Sequence, residues 1–141
     1  MKTFTLEEAQ AVLPVVESLL ARAMEARRAA AEIERDLQQL SQRIFLSGGM
    51  HVDVLAVNRD RVAHDQHNHH AGELLAEIDS IGVEVKDLDT GLLDFPCKLD
   101  DQVVLLCWKQ GEQRITHWHT IQDGFRGRKP IDERFRPNRP N

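Results

Sequence analysis

Four histidines fall within seven residues in the run His64-Asp65-Gln66-His67-Asn68-His69-His70, a dense cluster of metal-ligand side chains. If that segment is helical, Asp60, His64 and His67 stand at i, i+4 and i+7 on one face. Two imidazoles and a carboxylate so placed suit Zn²⁺ or another divalent ion, with an Asp or Glu of a facing helix completing the shell. The plainer alternative is a solvated polar stretch that chelates metal without defined geometry. A second set lies downstream: Lys86, Asp94, Cys107 and His119 are catalytic candidates, and Trp108, Glu112, Trp118 and Arg128 are candidates for holding a ligand. Cys107 and His119 would form a thiolate–imidazolium pair if they were cross-strand neighbours. The simpler reading makes Cys107 a small buried residue of an apolar strand. It gives His119 a hydrogen bond to a backbone group or to a carboxylate such as Asp94, and makes both tryptophans core.

The chain contains no phosphate-binding glycine loop, no Gly-x-Ser-x-Gly elbow, no His-Glu-x-x-His and no Cys-x-x-Cys pair, which argues against the commoner enzyme classes. Its 141 residues suffice for one domain, and 41% apolar with 29% charged residues fits a charge-rich globular protein. No apolar run reaches the roughly 20 residues that span a bilayer. The opening Met1-Lys2-Thr3-Phe4-Thr5 leads into Glu7 and Glu8 rather than an apolar signal core, so a cytoplasmic location is expected, with Cys97 and Cys107 as reduced thiols. The net charge of −5 divides unevenly, with −9 before Arg126 and +4 from Arg126 onward. An acidic body with no basic helix face is a poor partner for phosphate, so nucleic-acid binding is not expected.

The elements that must position these residues are legible from pattern. Thr5-Leu6-Glu7-Glu8 is a capping box. After it, Val12, Val16, Leu19, Ala23, Ala26, Ala30, Ile33, Leu37, Leu40 and Ile44 repeat at spacings of four and three. That seam predicts one helix from Leu6 to about Leu46, continuing through Pro14. Gly48-Gly49 ends it. The same spacing runs from Val57 through Asp60, His64 and His67 to Ile78 and Ile81, predicting a second helix with a kink or break near residues 65–72, where Asn68 and Gly72 are weak helix formers. Gly82 is its stop. The period then becomes two: Val83–Asp87 and Leu92–Phe95 read as strands, the latter halted by Pro96, with a polar loop at Lys98–Gln102. Val103–Thr120 reads as a hairpin around Gln110-Gly111-Glu112-Gln113, bringing Cys107 and Trp108 near Ile115, Thr116 and His117.

Several short motifs resemble a bacterial family known as the domain of unknown function 2203. They are Phe4-Thr5-Leu6-Glu7-Glu8-Ala9, Gly82-Val83-Glu84-Val85-Lys86-Asp87-Leu88, Gly91-Leu92-Leu93-Asp94-Phe95-Pro96, Leu106-Cys107-Trp108-Lys109-Gln110-Gly111-Glu112, and Trp118-His119 with Gly124-Phe125 and Gly127-Arg128. Residues 45 to 70 carry no such motif. The resemblance implies a small bacterial cytosolic protein and supplies no activity.

Together these readings predict an α+β fold. A long antiparallel helical hairpin over residues 5–81 carries a small antiparallel sheet over 83–120, within one domain of residues 1–125. Residues 126–141 are expected to be a flexible basic tail. The seam of the first helix is too long for the second helix and four short strands to cover, so a homodimer or higher homo-oligomer through that helix is expected, as a self-associating module without catalysis. The rival is a small-ligand or divalent-metal-dependent enzyme, sited on the second helix or in the β half.

Overall fold

Thr5 starts the first helix as its sequence dictates. Its hydroxyl accepts from the Glu8 amide at 3.0 Å, while its own N–H donates to the Glu8 carboxylate at 2.9 Å. In the computed structural model, which describes residues 2–49 and 52–136, helix α1 runs unbroken through Leu6–Leu46 with Pro14 inside it. At ~1.5 Å per residue it is roughly 60 Å long. Helix α2, Val54–Ile81, begins at Asp53, whose carboxylate accepts the Ala56 amide at 3.1 Å. It shows no break at residues 65–72, so Asn68 and Gly72 lower its propensity without interrupting it. Gly82 closes it with φ 104°, a left-handed backbone that glycine adopts without a Cβ clash.

Five antiparallel strands follow in the order β1 (Glu84–Asp87), β2 (Leu92–Leu99), β3 (Gln102–Lys109), β4 (His117–His119) and β5 (Lys129–Pro130). Three details differ from the sequence reading. Pro96 does not stop β2, which continues to Leu99. The Pro96 carbonyl accepts from the Phe4 amide at 2.7 Å, so that side of the residue faces the chain's N-terminal segment and β3 never needs the missing N–H. The expected loop at Lys98–Gln102 is a tight two-residue turn, with Asp100 and Asp101 both at positive φ (48° and 65°), the twist that suits a hairpin. The tryptophan hairpin is lopsided: β3 is eight residues, β4 only three, and residues 110–116 form a long connection.

Residues 126–136 are also built into the fold rather than free. They supply β5 and two short 3₁₀ turns, Phe125–Gly127 and Glu133–Phe135. Phe135 is buried, its ring centroid 5.4 Å from that of Trp118. Residues 137–141 of the expected tail lie outside the described residues.

Strand alternation divides the sheet into two faces. Leu93, Phe95, Cys97 and Leu99 of β2, Val104, Leu106 and Trp108 of β3, and Trp118 of β4 pack with Leu13, Val16, Leu20, Met24, Leu74 and Ile78 of the helices into one apolar core. The opposite face carries Asp94, Cys107, His117 and His119. Cys97 and Cys107 therefore stand on opposite sides of the sheet, and both are free thiols.

Candidate functional site

Three sequence candidates meet on that second face. β2 and β3 pair Asp94 directly with Cys107, while β3 and β4 pair Cys107 with His117 and Leu105 with His119. Since side chains two apart share a face, His119 lies diagonally across β3 from Asp94, with Cys107 between. Asp94, Cys107 and His119 each present one ligand-type atom, and these atoms all lie within 4.8 Å of one another. All three side chains are 1–2% exposed. Among the described residues they are the one set of three or more His, Cys, Asp or Glu to converge so closely.

His119 is held at both ring nitrogens. Nδ1 lies 2.8 Å from the Thr120 carbonyl, which can only accept, so Nδ1 carries a proton and donates it. Nε2 lies 3.0 Å from Asp94 Oδ1, and that contact holds one further proton between imidazole and carboxyl. Asp94 Oδ2 is buried with no hydrogen-bond partner among the described residues. Burial pushes the Asp94 carboxyl above its usual range; the hydrogen bond from His119 acts in the opposite direction. Glu84 and Lys86 of β1 add weaker, opposing charge effects.

Burial also raises the Cys107 thiol to about 11, assisted by the nearby charge of Asp94 and opposed by Arg128. A thiol so placed stays protonated at neutral pH, so the thiolate–imidazolium pair that the sequence allowed is not what this geometry favours. The two charges besides Asp94 that act on Cys107 belong to one ion pair. Arg128 Nη2 lies 2.9 Å from Glu112 Oε2, and the guanidinium stacks 4.8 Å from the Phe125 centroid. Glu112 also receives the Lys109 amide at 2.8 Å and offers its carbonyl to Trp108 Nε1 at 3.0 Å. It closes the turn and anchors the core tryptophan.

The remaining candidates disperse. Lys86 is exposed, 3.8 Å from Glu84, beside a β-bulge where the β1–β2 register shifts. Trp108 is fully buried and Trp118 nearly so, under Phe135, Lys129 and Arg134, which leaves neither ring open as a platform. Asp60, His64 and His67 share the helical stripe as expected, yet do not form a close ligand set. His64 Nε2 is engaged by Glu34 of α1 and by Asn68, its Nδ1 by Asp65 at 3.1 Å, and Asn68 accepts in turn from Arg27 of α1. The arrangement is a polar clasp between the helices. The sequence reading expected a facing-helix acid near His64 and a backbone or carboxylate partner for His119, without naming Glu34, Asn68 or Thr120 in those roles. The first two lie on the other helix or one turn away, and the third contributes only its carbonyl, which no side-chain pattern reports.

Residues 2–131 match the model of a family described as an uncharacterized conserved protein (DUF2203). The match runs through residues 45 to 70, where no short motif was evident. No curated protein and no solved structure matches the chain.

Proposed function

The chain belongs to the DUF2203 family of uncharacterised conserved proteins, and because that membership names no reaction, we propose from its geometry that it is a self-associating interaction module. In this reading a second copy covers the distal half of the helical hairpin. One observation carries it: Phe45, Leu46, Val54 and Leu55, around the hairpin tip, are 84, 81, 74 and 74% exposed. Exposed single apolar residues are ordinary, but four large ones at the ends of the two helices that meet at the hairpin tip support reading that tip as an interaction surface. The neighbouring seam points the same way. Leu37, Leu40 and Ile44 are only half-buried against α2, whereas Ala9, Val16, Leu20, Ala23 and Ala30 nearer the sheet are fully buried. Burying one such large side chain contributes about 1.5–3 kcal/mol, so a few on each copy suffice to offset the cost of association.

Light scattering after size exclusion, at tens of micromolar, is expected to give at least twice the chain mass of 16.1 kDa. The double variant Phe45→Asp/Leu55→Asp is expected to run as a monomer of unchanged helicity. A wild-type mass of 16.1 kDa at that concentration removes the proposal.

The enzyme reading draws support from the convergence of Asp94, Cys107 and His119. Their burial leaves a substrate no approach, and the Cys107 thiol is poorly suited to attack. A cytoplasmic site of action fits two unpaired thiols, and no helix of the described residues is long and apolar enough to cross a membrane.

A further inference from the structure

We propose that Asp94, Cys107 and His119 form a binding site for one divalent transition-metal ion of the Zn²⁺ type, pinning strands β2, β3 and β4 together on the face of the sheet away from the helices. Four observations carry this. First, the donor set is mixed carboxylate, thiol and imidazole, the combination that borderline-soft Zn²⁺ accepts. Second, the three ligand atoms already lie within 4.8 Å of one another, and His119 Nε2 is 3.0 Å from Asp94 Oδ1. Donors bound tetrahedrally to Zn²⁺ at its usual bond lengths of ~2.0–2.3 Å stand roughly 3.3–3.6 Å apart, so small side-chain movements suffice.

Third, Asp94 Oδ2 is a buried acceptor with no partner among the described residues. An uncompensated buried acceptor is costly, and a cation beside it removes that cost while adding a fourth donor from the same carboxylate. Fourth, His119 is prepared as a ligand. Its Nδ1–H is held by the Thr120 carbonyl, which fixes the ring and turns Nε2 toward Asp94 and Cys107. Zinc-binding histidines are commonly oriented in this way through the second nitrogen.

The charge balance makes burial tolerable. Without metal the site is neutral: a protonated thiol, plus a carboxyl and an imidazole pair with one proton between them and one on Nδ1. On binding, the ion takes the place of two protons, one from Cys107 Sγ and one from the Asp94–His119 contact, and both pass to solvent. Nδ1 keeps its proton on Thr120. The loaded site has Zn²⁺, a thiolate, a carboxylate and a neutral imidazole, and is again neutral. A buried site whose net charge does not change avoids the large desolvation cost of an isolated ion. The charged groups around it are themselves opposed in sign: Glu84 and Lys86 on β1, and the Glu112–Arg128 pair over β3. The site shares no residue with the His64 cluster and is independent of self-association.

The test uses the full chain without a histidine tag, stripped of metal with a chelator, and Co²⁺ as a spectroscopic probe. One equivalent is expected to bind with a thiolate-to-cobalt charge-transfer band in the near ultraviolet, to raise Tm, and to be displaced by Zn²⁺. Cys107→Ala should abolish the band, while Cys97→Ala and the quadruple His64→Ala/His67→Ala/His69→Ala/His70→Ala should keep it. Asp94→Asn is expected to weaken binding and serves in its place should Cys107→Ala fail to fold. Because the site is buried, the titration is repeated on protein refolded from denaturant with Co²⁺ present. A refolded sample with no thiolate band, or a band that survives Cys107→Ala, overturns the proposal. So does metal binding that disappears only in the quadruple histidine variant.

Discussion

Burying a carboxylate to 1% exposure is costly unless its charge is matched, and Asp94 is matched on one oxygen only. With chelator present, Asp94→Leu should therefore destabilise the protein by about 3–5 kcal/mol, since it leaves the His119 imidazole buried without its acceptor. His119→Phe should cost a similar amount. The double variant Asp94→Leu/His119→Phe should cost clearly less than the two single losses together, because apolar side chains of matching volume need no partner. Urea denaturation of all four proteins measures the coupling, and strictly additive losses would show that the 3.0 Å contact contributes nothing of its own. The residues of this trio were legible in the sequence, down to the carboxylate that His119 finds. Their placement was not. A slip of one residue turns every side chain of a strand to the other face, and only the observed β2–β3 register sets Asp94 opposite Cys107. The stripe of Asp60, His64 and His67 shows the opposite limit: helical spacing aligns residues along a face, but the partner helix decides what each side chain meets.

At the scale of the element, the helices were readable because their signals are local. A capping box, a four-three repeat and a stop glycine each act within a turn or two. The strands were less so, because Pro96 is excluded from a strand only if its ladder side is the one that needs an N–H, and that depends on which segment lies alongside. The clasp between α1 and α2 gives the hairpin a pH dependence of its own. The hydrogen bond to Glu34, then that to Asp65, raises the His64 pKa above 6.5, and the His64 hydrogen bond lowers that of Glu34 below 4.5. A raised histidine contributes stability that is complete below 6.5 and is lost as pH rises through the folded value. A depressed carboxylate contributes stability that is complete above 4.5 and is lost as pH falls through its folded value. The clasp is thus strongest between those two limits. Amide exchange in the distal hairpin should be slower at pH ~5.5 than intrinsic rates predict from pH ~8, and His64→Gln should remove most of that difference. Equal protection in the variant and the wild type would assign the pH dependence elsewhere.

For the molecule as a whole, the question is what closes the rims of the apolar core between sheet and helices, where the two helices alone do not cover it. The sequence suggested a basic tail, since residues 126–136 are polar, rich in arginine and without apolar period. The structure uses Phe135 of that stretch as a plug on Trp118, with Arg134 and Lys129 laid over the indole at 5.4 and 5.2 Å and Ile131 packed against the same core. A single aromatic has no periodicity to betray it, which is why the segment read as solvent-borne. The N-terminal segment makes a comparable closure through the Phe4 amide on the Pro96 carbonyl and the Phe4 ring packed edge-on against Phe95, centroids 5.8 Å apart. The fold is thereby latched at both ends of the chain. Phe135→Ala should then cost roughly 3–5 kcal/mol, and with about 3 °C of Tm per kcal/mol for a domain of this size the midpoint should fall by on the order of 10 °C. Deleting residues 132–141 should do at least as much, since it also takes Arg134 from over the Trp118 indole. A midpoint unmoved by Phe135→Ala would mean that Trp118 is covered equally well without its plug, and the stretch from residue 132 would return to being a tail.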